Sequence, residues 1–384
     1  MKKLVTLLFS LIVLAGCSKK QELNYTVTEK DGIKTFNNKN VPSQPGLTYS
    51  LTKLFTIGGD STMADTAAFF RQPADLDVDK SGNIYILDIS TCSVKKFDNQ
   101  GRFITSFGHK GSGPGEFVVS IDMGIVNDTL CVQETETGLV VRYDLNGRFI
   151  DKIPYPGAPG VYLGESIKSP GRNRMIGYEP IASKEGDDLM LGSCLLLMDS
   201  QFKQKSVLRK FLNKFDPENI RFFETLTKYA YGDSNIFVAE NEDSHYKISI
   251  YDLNGKQTGV IKKSYATLEY NPEEMEIMNK KLNLSWNGKK IVQKKANKKA
   301  INALYYDKYG RLLACSSQAR KKDNQDKFYA DVFKDGVFFN RVEFKELVKQ
   351  DYVAQMNDIE TYFFNDKIYV LNLAANSVTV YDYQ

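Results

Sequence analysis

Between Pro73 and Gly108 the chain reads PADLDVDKSGNIYILDISTCSVKKFDNQGRFITSFG. Four short runs, ADLDV, NIYIL, SVKKF and FITSF, are separated by DKSGN, DIST and DNQGR. Apolar residues alternate within the runs, and the breaks are rich in turn formers, the pattern of short strands. No break can hold a crossover helix, so neighbouring strands must pair antiparallel. One four-stranded sheet of this size leaves an apolar face open, and copies set side by side would close it. The decisive question is therefore whether the unit recurs.

It does. Phe97-Asp98-Asn99-Gln100-Gly101-Arg102-Phe103 returns 46 residues later as Tyr143-Asp144-Leu145-Asn146-Gly147-Arg148-Phe149, and Asp252 to Gly255 repeats Asp144 to Gly147 after a further 108. In such a turn glycine supplies a positive φ while the aspartate accepts backbone hydrogen bonds. A second copy reads VSIDMGI, DTLCVQE, GLVVRYDLNG and RFIDKI. The third is degenerate, with LGESIKS, RMIGYEP, CLLLMDS and SVLRKFL; the fourth is clear in RFFETLTKYA, SNIFVAE, YKISIYDLNG and QTGVIKK. A fifth holds KAINALYYD, GRLLACSS, KFYADVFKDG and FFNRVEF. The sixth stops after three strands, MNDIETYFFND, KIYVLNL and SVTVYDYQ, whereas YSLTKLFTI at Tyr49–Ile57 is a fourth strand with no first three before it. Pairing the two closes a ring and hides both edges. The expected fold is all-β: a six-bladed propeller of four-stranded antiparallel blades, closed by the N-terminal strand completing the last blade.

Three regions are expected around this repeat. Residues 1–16 read as a lipoprotein signal peptide: Lys2 and Lys3 lead an apolar run, Leu4 to Ala15, that is shorter than the ~20 residues of a spanning helix. Leu14-Ala15-Gly16-Cys17 matches the lipobox, which makes Cys17 the lipid attachment site and the membrane a partner. Residues 17–46 read as a polar tether with one short strand at Leu23 to Thr28, and 47–384 as the propeller, with a partly helical insertion at about 265–299. In that insertion Pro272 stands near a helix start, with Glu273, Glu274 and Glu276 following. The other cysteines, Cys92, Cys131, Cys194 and Cys315, have no metal-binding spacing and read as buried thiols in or beside strands. A net charge of +4 is mild for 384 residues, so no nucleic-acid partner is expected of this exported chain.

The motifs Pro73-Ala74-Asp75-Leu76-Asp77-Val78-Asp79, Gly82-Asn83-Ile84-Tyr85-Ile86-Leu87-Asp88 and Val94-Lys95-Lys96-Phe97-Asp98-Asn99-Gln100-Gly101 resemble an NHL-type repeat. With the lipobox, residues 47–384 resemble the six-bladed NHL-like propeller lipoproteins of the Bacteroides group. Gly111-Ser112-Gly113-Pro114-Gly115-Glu116-Phe117 is similar to that family's connection between blades. The resemblance implies an outer-membrane lipoprotein of the cell envelope, facing either the periplasm or the outside.

Propellers of this kind usually meet ligands on the face built by blade-to-blade connections and by loops between second and third strands. The candidate rim there is Arg71, Asp88, His109, Glu116, Glu134, Glu136, Glu240 and His245. The resemblance also includes a zinc lyase using several histidines and calcium-dependent lactonases using inner carboxylates and asparagines. His109 and His245 are the only histidines, too few for a three-histidine zinc site. Calcium needs six to eight oxygens, which Asp75, Asp77, Asp122, Asn127 and Asp128 could supply in part. No G-x-S-x-G elbow and no phosphate-binding loop occur. The sequence therefore favours a noncatalytic binding or scaffolding module, with no catalytic residue and no cofactor, for an envelope protein, peptide or glycan. The alternative is a calcium-dependent lyase or hydrolase with its site at the channel mouth.

Overall fold

In a computed structural model the chain forms six radially arranged antiparallel blades. The described residues are 23–59, 68–120, 122–155, 167–171, 173–203, 206–216, 227–240, 245–282, 285–286, 288–290, 292, 296–317, 327–348 and 359–384. The leader and Cys17 lie outside them. An N-terminal hairpin, β1 (Tyr25–Lys30) and β2 (Ile33–Asn38), comes first, then β3 (Leu51–Gly58). Blade 1 is β4 (Pro73–Val78), β5 (Ile84–Asp88), β6 (Ser93–Phe97) and β7 (Phe103–Phe107). Blade 2 is β8 (Asp122–Val126), β9 (Thr129–Glu134), β10 (Leu139–Asp144) and β11 (Phe149–Pro154). Blade 3 is β12 (Lys168–Gly171), β13 (Arg174–Glu185), β14 (Asp188–Asp199) and β15 (Ser206–Lys214). Blade 4 is β16 (Tyr229–Tyr231), β17 (Asn235–Ala239), β18 (Tyr246–Asp252) and β19 (Gln257–Lys263).

Helix α1 (Pro272–Leu282) and the short pair β20 (Ser285–Trp286) and β21 (Lys289–Lys290) precede blade 5. That blade is β22 (Ile301–Tyr306), β23 (Leu312–Ser316), β24 (Lys327–Lys334) and β25 (Val337–Val348). Blade 6 is β26 (Ile359–Phe364), β27 (Lys367–Asn372) and β28 (Ser377–Tyr383), completed by β3. The closure runs from Ser377↔Gly58 to Tyr383↔Leu51, so the first propeller strand and the last are paired.

Within each blade the first strand faces the channel and the fourth lies outermost, except in blade 4, where the N-terminal hairpin lies beyond it. Turns between strands one and two open on what is here termed the front face. Loops between strands two and three, and the blade-to-blade connections, lie at the back. Buried apolar side chains pack between blades: Phe70, Leu76 and Ile86 of blade 1 meet Tyr369 and Val378 of blade 6, for example. Cys92, Cys131, Cys194 and Cys315 are buried free thiols within these layers.

The recurring aspartate-glycine turn has a double cause. Asp98, Asp144 and Asp252 each accept the N–H groups two and four residues on at 2.9 Å. The glycines take φ values of 81°, 85° and 82°, and each abuts the preceding blade. A Cβ on Gly147 would stand 2.4 Å from the Phe107 ring. Gly147→Ala therefore combines left-handed strain with an interblade clash, and we expect it to cost about 2–3 kcal/mol in a denaturant melt. The same substitution at Gly186, whose added Cβ meets nothing within 4 Å, should cost clearly less.

Two regions depart from the sequence reading. Residues 25–38, within the expected tether, form a hairpin: β2 pairs in parallel with β19, making blade 4 a six-stranded sheet. The outer strand β1 is mostly exposed, so its composition stays polar and the recruitment runs through backbone hydrogen bonds. In blade 3, the residues read as a break between RMIGYEP and CLLLMDS extend both strands to twelve residues, paired from Arg174↔Asp199 to Glu185↔Asp188. The distal part of this hairpin is exposed, which is why apolar alternation fades there.

Helix α1 has a reciprocal cap. Asn271 Oδ1 accepts the Glu274 N–H and Glu274 Oε2 accepts the Asn271 N–H, both at 2.9 Å. The other Glu274 oxygen pairs at 2.5 Å with the buried Lys298 ammonium. Lys298 belongs to the basic run KKIVQKKANKKA, and here at least that run turns inward.

Candidate functional site

A cavity opens on the front face, where turns from all six blades converge on the channel. It measures about 620 Å³. Six carboxylates line it, Asp77, Asp79, Asp128, Asp233, Asp307 and Asp366, against two ammonium groups, Lys80 and Lys308. Tyr231, Tyr306, Phe363 and Phe364 form one wall, contributed by blades 4, 5 and 6. These four aromatics also line a smaller cavity of about 90 Å³ deeper in the channel, together with Tyr229, Tyr305, Tyr362 and Lys168. The result is a funnel with a carboxylate-rich mouth and a throat that is aromatic on one side.

The opposite side of the channel is charged. Asp75 on β4 is a hub for four blades. Its Oδ1 accepts the Leu76 N–H at 2.8 Å and the Tyr362 hydroxyl at 3.1 Å, and its Oδ2 accepts the Met123 N–H at 3.0 Å. Lys168 on β12 donates to both oxygens, at 3.1 and 2.9 Å, and to the Met123 carbonyl at 3.0 Å. Both charged side chains are only 5% exposed. Burial alone would lower the Lys168 pKa, but Asp75, Asp77 and Asp122 outweigh it and hold the ammonium protonated.

Asp77, two residues on along the same face of β4, bridges to blade 2 by accepting the Ile125 N–H at 2.7 Å, and also accepts its neighbour Val78 N–H at 2.7 Å. Burial pushes its carboxyl up to about 6, with Lys168 and the two N–H groups offsetting only part of that. A raised carboxyl binds its proton more tightly when folded, so its stabilising contribution is full below about pH 4 and is lost as pH rises through about 6. We expect the unfolding free energy to lose on the order of 2–3 kcal/mol across that window through this residue. Denaturant unfolding from pH 4 to 7 should show that portion missing in Asp77→Asn.

Several funnel carboxylates hold turns. Asp79 accepts the Ser81 and Asn83 N–H groups at 2.9 Å and the Tyr85 hydroxyl at 3.1 Å. Asp307 accepts the Tyr309 and Arg311 N–H groups, pairs with the Arg311 guanidinium at 2.7 Å and bonds the Tyr49 hydroxyl. Asp128 pairs with Lys80 at 3.1 Å, both exposed. Asp233 and Asp366 are exposed on the turns of blades 4 and 6, on either side of the Tyr306 wall.

The rim expected from the sequence lies at the back, away from this cavity. The structure joins some of its members. His109 Nε2 and Glu116 Oε1 are 2.6 Å apart in the blade 1–2 connection. The Gly113 N–H, then His109, hold the Glu116 carboxyl below its ordinary value. Arg71 is exposed, while Asp88 is buried and accepts the Arg71 and Gln72 N–H groups at 3.2 Å and the Ser90 hydroxyl at 2.7 Å. Glu134 is buried too, fastening the Val118 N–H at 3.1 Å and the Thr137 hydroxyl at 2.8 Å, whereas Glu136 is exposed. Glu240 binds Arg209, Lys247 at 3.1 Å and the Ser249 hydroxyl at 3.2 Å; burial raises its pKa, but the two cations bring it below the ordinary value. His245 is exposed on the same loop. Asp88, Glu134 and Glu240 thus brace loops.

The carboxylates considered for calcium are engaged likewise. Asp75 has its cation in Lys168, and among the described residues no three histidine, cysteine, aspartate or glutamate side chains form a group able to hold a metal. The residues that make the funnel had a sequence signal of their own. YAYGD, ALYYD and TYFFND carry paired aromatics just before the front turn in copies four, five and six, and LDVD and GIVND in copies one and two do not.

Comparison with solved structures returns proteins of low sequence identity. A DUF4221 family member from Bacteroides vulgatus shares 11% identity, with 88% of this chain and 98% of its own covered and a TM-score of 0.49. The PQQ-bound aldose sugar dehydrogenase of Streptomyces coelicolor gives 12%, 88%, 100% and 0.45, respectively. Virginiamycin B lyase from Staphylococcus aureus gives 11%, 87%, 99% and 0.39. No functionally curated protein matches the chain. One family profile does, over residues 70–329, which is most of the six blades, and by that match the chain belongs to DUF5128, the 6-bladed beta-propeller family.

Proposed function

We propose that this chain is a ligand-binding propeller of the bacterial cell envelope, and that its site is the front funnel rather than the back rim. One observation carries the reading: turns from all six blades meet around about 620 Å³ of mixed aromatic and carboxylate surface. Ligand pockets commonly measure ~300–1,000 Å³ and combine apolar walls with a few placed polar groups. Such a site admits a small molecule, or the end of a peptide or glycan. Lipid on Cys17 would hold the propeller at the outer membrane, facing either the periplasm or the outside. Palmitate labelling lost in Cys17→Ser tests the anchor.

The site is tested by screening the purified chain against amines, sugars and short peptides by NMR. Binders should lose affinity in Asn127→Trp, which places a bulky ring at the exposed mouth. Binders that ignore this substitution but respond to His109→Ala would move the site to the back rim.

Asp77 favours a second reading, catalysis at the channel mouth. A buried carboxyl with a pKa of about 6, lining a cavity, is suited to give or take a proton near neutral pH. Under it the funnel serves a lyase or hydrolase, and Asp77→Asn abolishes turnover while substrate still binds. Turnover that survives the substitution sinks this reading. The calcium-dependent form of it gains no support from the described side chains.

A further inference from the structure

We infer that the funnel's ligand is a small amphipathic cation, with an ammonium or guanidinium group at the mouth and an aromatic or branched apolar group in the throat. The inference rests on the funnel being the binding site and names the chemistry that the site selects.

The channel is divided lengthwise. Blades 1 to 3 line it with Asp75, Asp77 and Lys168, which satisfy one another and the neighbouring backbone. Blades 4 to 6 line it with Tyr231, Tyr306, Phe363 and Phe364, which continue from the mouth into the small inner cavity. An entering ligand therefore meets a charged wall already in balance and an aromatic wall that is only half-buried. Apolar burial can be gained on the second wall alone.

The mouth adds the choice of charge. Setting aside Asp77, which belongs to the balanced wall, and Asp307, which Arg311 pairs, its lining carries four carboxylates, Asp79, Asp128, Asp233 and Asp366, against Lys80 and Lys308, although the chain as a whole carries +4. The excess is local and opposite in sign to the molecule. Lys80 is matched by Asp128, and Lys308 lies 3.4 Å from Asp382 and over the Tyr383 ring at 4.6 Å, so neither cation is aimed at the aromatic wall. Asp233 and Asp366 flank that wall. The field of Asp233 reaches it: after burial, Asp233 is the next cause raising the Tyr306 phenol's pKa, and Asp366 contributes at Tyr383, elsewhere in the funnel lining. A concave site of one sign concentrates counter-charged solutes, and a cation over tyrosine faces gains further from the ring quadrupole. A carboxylate in the same place would meet repulsion from both flanks.

Four probes sharing parts of one skeleton separate the requirements: 4-phenylbutylamine, 4-phenylbutanol, 4-phenylbutyrate and n-butylamine, titrated into the purified chain by NMR at fixed salt. The phenylbutylamine should bind about tenfold tighter than the phenylbutyrate, the ratio given by exchanging two exposed repulsions for two exposed ion pairs. The alcohol should fall between them, and n-butylamine should bind more weakly than phenylbutylamine. In Asp233→Asn/Asp366→Asn, which changes exposed side chains only, the preference for amine over acid should shrink to about twofold or less.

Equal affinities for amine, alcohol and acid overturn the inference, as does a preference for the acid, an amine preference untouched by the double substitution, or no binding by any probe. In each of those cases the funnel itself is judged separately, by whether any library binder responds to Asn127→Trp.

Discussion

Replacing Lys168 by methionine should destabilise the protein by about 3–5 kcal/mol, the loss typical when one member of a buried ion pair is removed. The ammonium is the only donor among the described residues that reaches both Asp75 oxygens from another blade, and it also holds the Met123 carbonyl. Without it, Asp75 stays buried between four blades with its remaining donors, and Asp77 loses the charge that restrains its pKa. The damage should therefore deepen as pH rises through and beyond about 6. Lys168→Met/Asp75→Asn should recover more than half of the loss, because the stranded charge goes with its partner. Urea unfolding of the three proteins at pH 5 and pH 8 measures both effects. A loss under about 1 kcal/mol for the single substitution would show that the hub is solvated and energetically ordinary.

The second large effect belongs to a residue at the edge of the wheel. Asn38→Ala should cost about 2–4 kcal/mol, since three backbone groups lose a partner and each unsatisfied buried group costs ~1–3 kcal/mol before relaxation. Asn38 Nδ2 donates to the Gly336 and Lys262 carbonyls at 3.1 Å, and its Oδ1 accepts the Phe338 N–H at 2.8 Å. One side chain thus ties the N-terminal hairpin to blade 4 and blade 5 together. Phe36 seals the same joint, lying so close that a Cβ on Gly336 would be 2.5 Å from its ring. Thermal melting should show the loss, and limited proteolysis should release the N-terminal segment early in the variant. Asn38→Asp should not rescue it: a carboxylate keeps the acceptor for Phe338 but faces two carbonyl oxygens.

The propeller was legible because its repeat is written in turn residues. Asp98, Asp144 and Asp252 must bond their own turns, and the glycines three residues on must accept a positive φ beside the neighbouring blade. Closure was legible because the orphan strand at 51–58 and the missing strand after β28 complement each other. Of the hairpin at 25–38 only a first short strand was legible, because parallel pairing of β2 with β19 uses the backbone, and an exposed edge strand needs no apolar pattern.

The proposed funnel was less legible for a related reason. Asp88, Glu134 and Glu240 are charged and near loops, as binding residues are, yet each is consumed by bracing N–H groups or cations. Charge in a sequence does not reveal whether its partners come from the same chain. Lys168 sits in the degenerate third copy, where no repeat register marks it as channel-facing. The aromatic pairs before the front turns were visible, but they match the strand-rich packing that 22 tyrosines and 23 phenylalanines already imply.

The N-terminal hairpin also decides how such a wheel can be mounted. β1 is the outermost strand of blade 4, and Tyr25 pairs with Asn38, which pairs with Lys263 at the end of β19, so the chain enters at the back edge of the wheel. Cys17 precedes Tyr25 by eight residues, a leash of at most ~28 Å when fully extended. With the lipid on Cys17, the back edge of blade 4 would be held within that reach of the bilayer, and the front funnel would open on the face away from the tether.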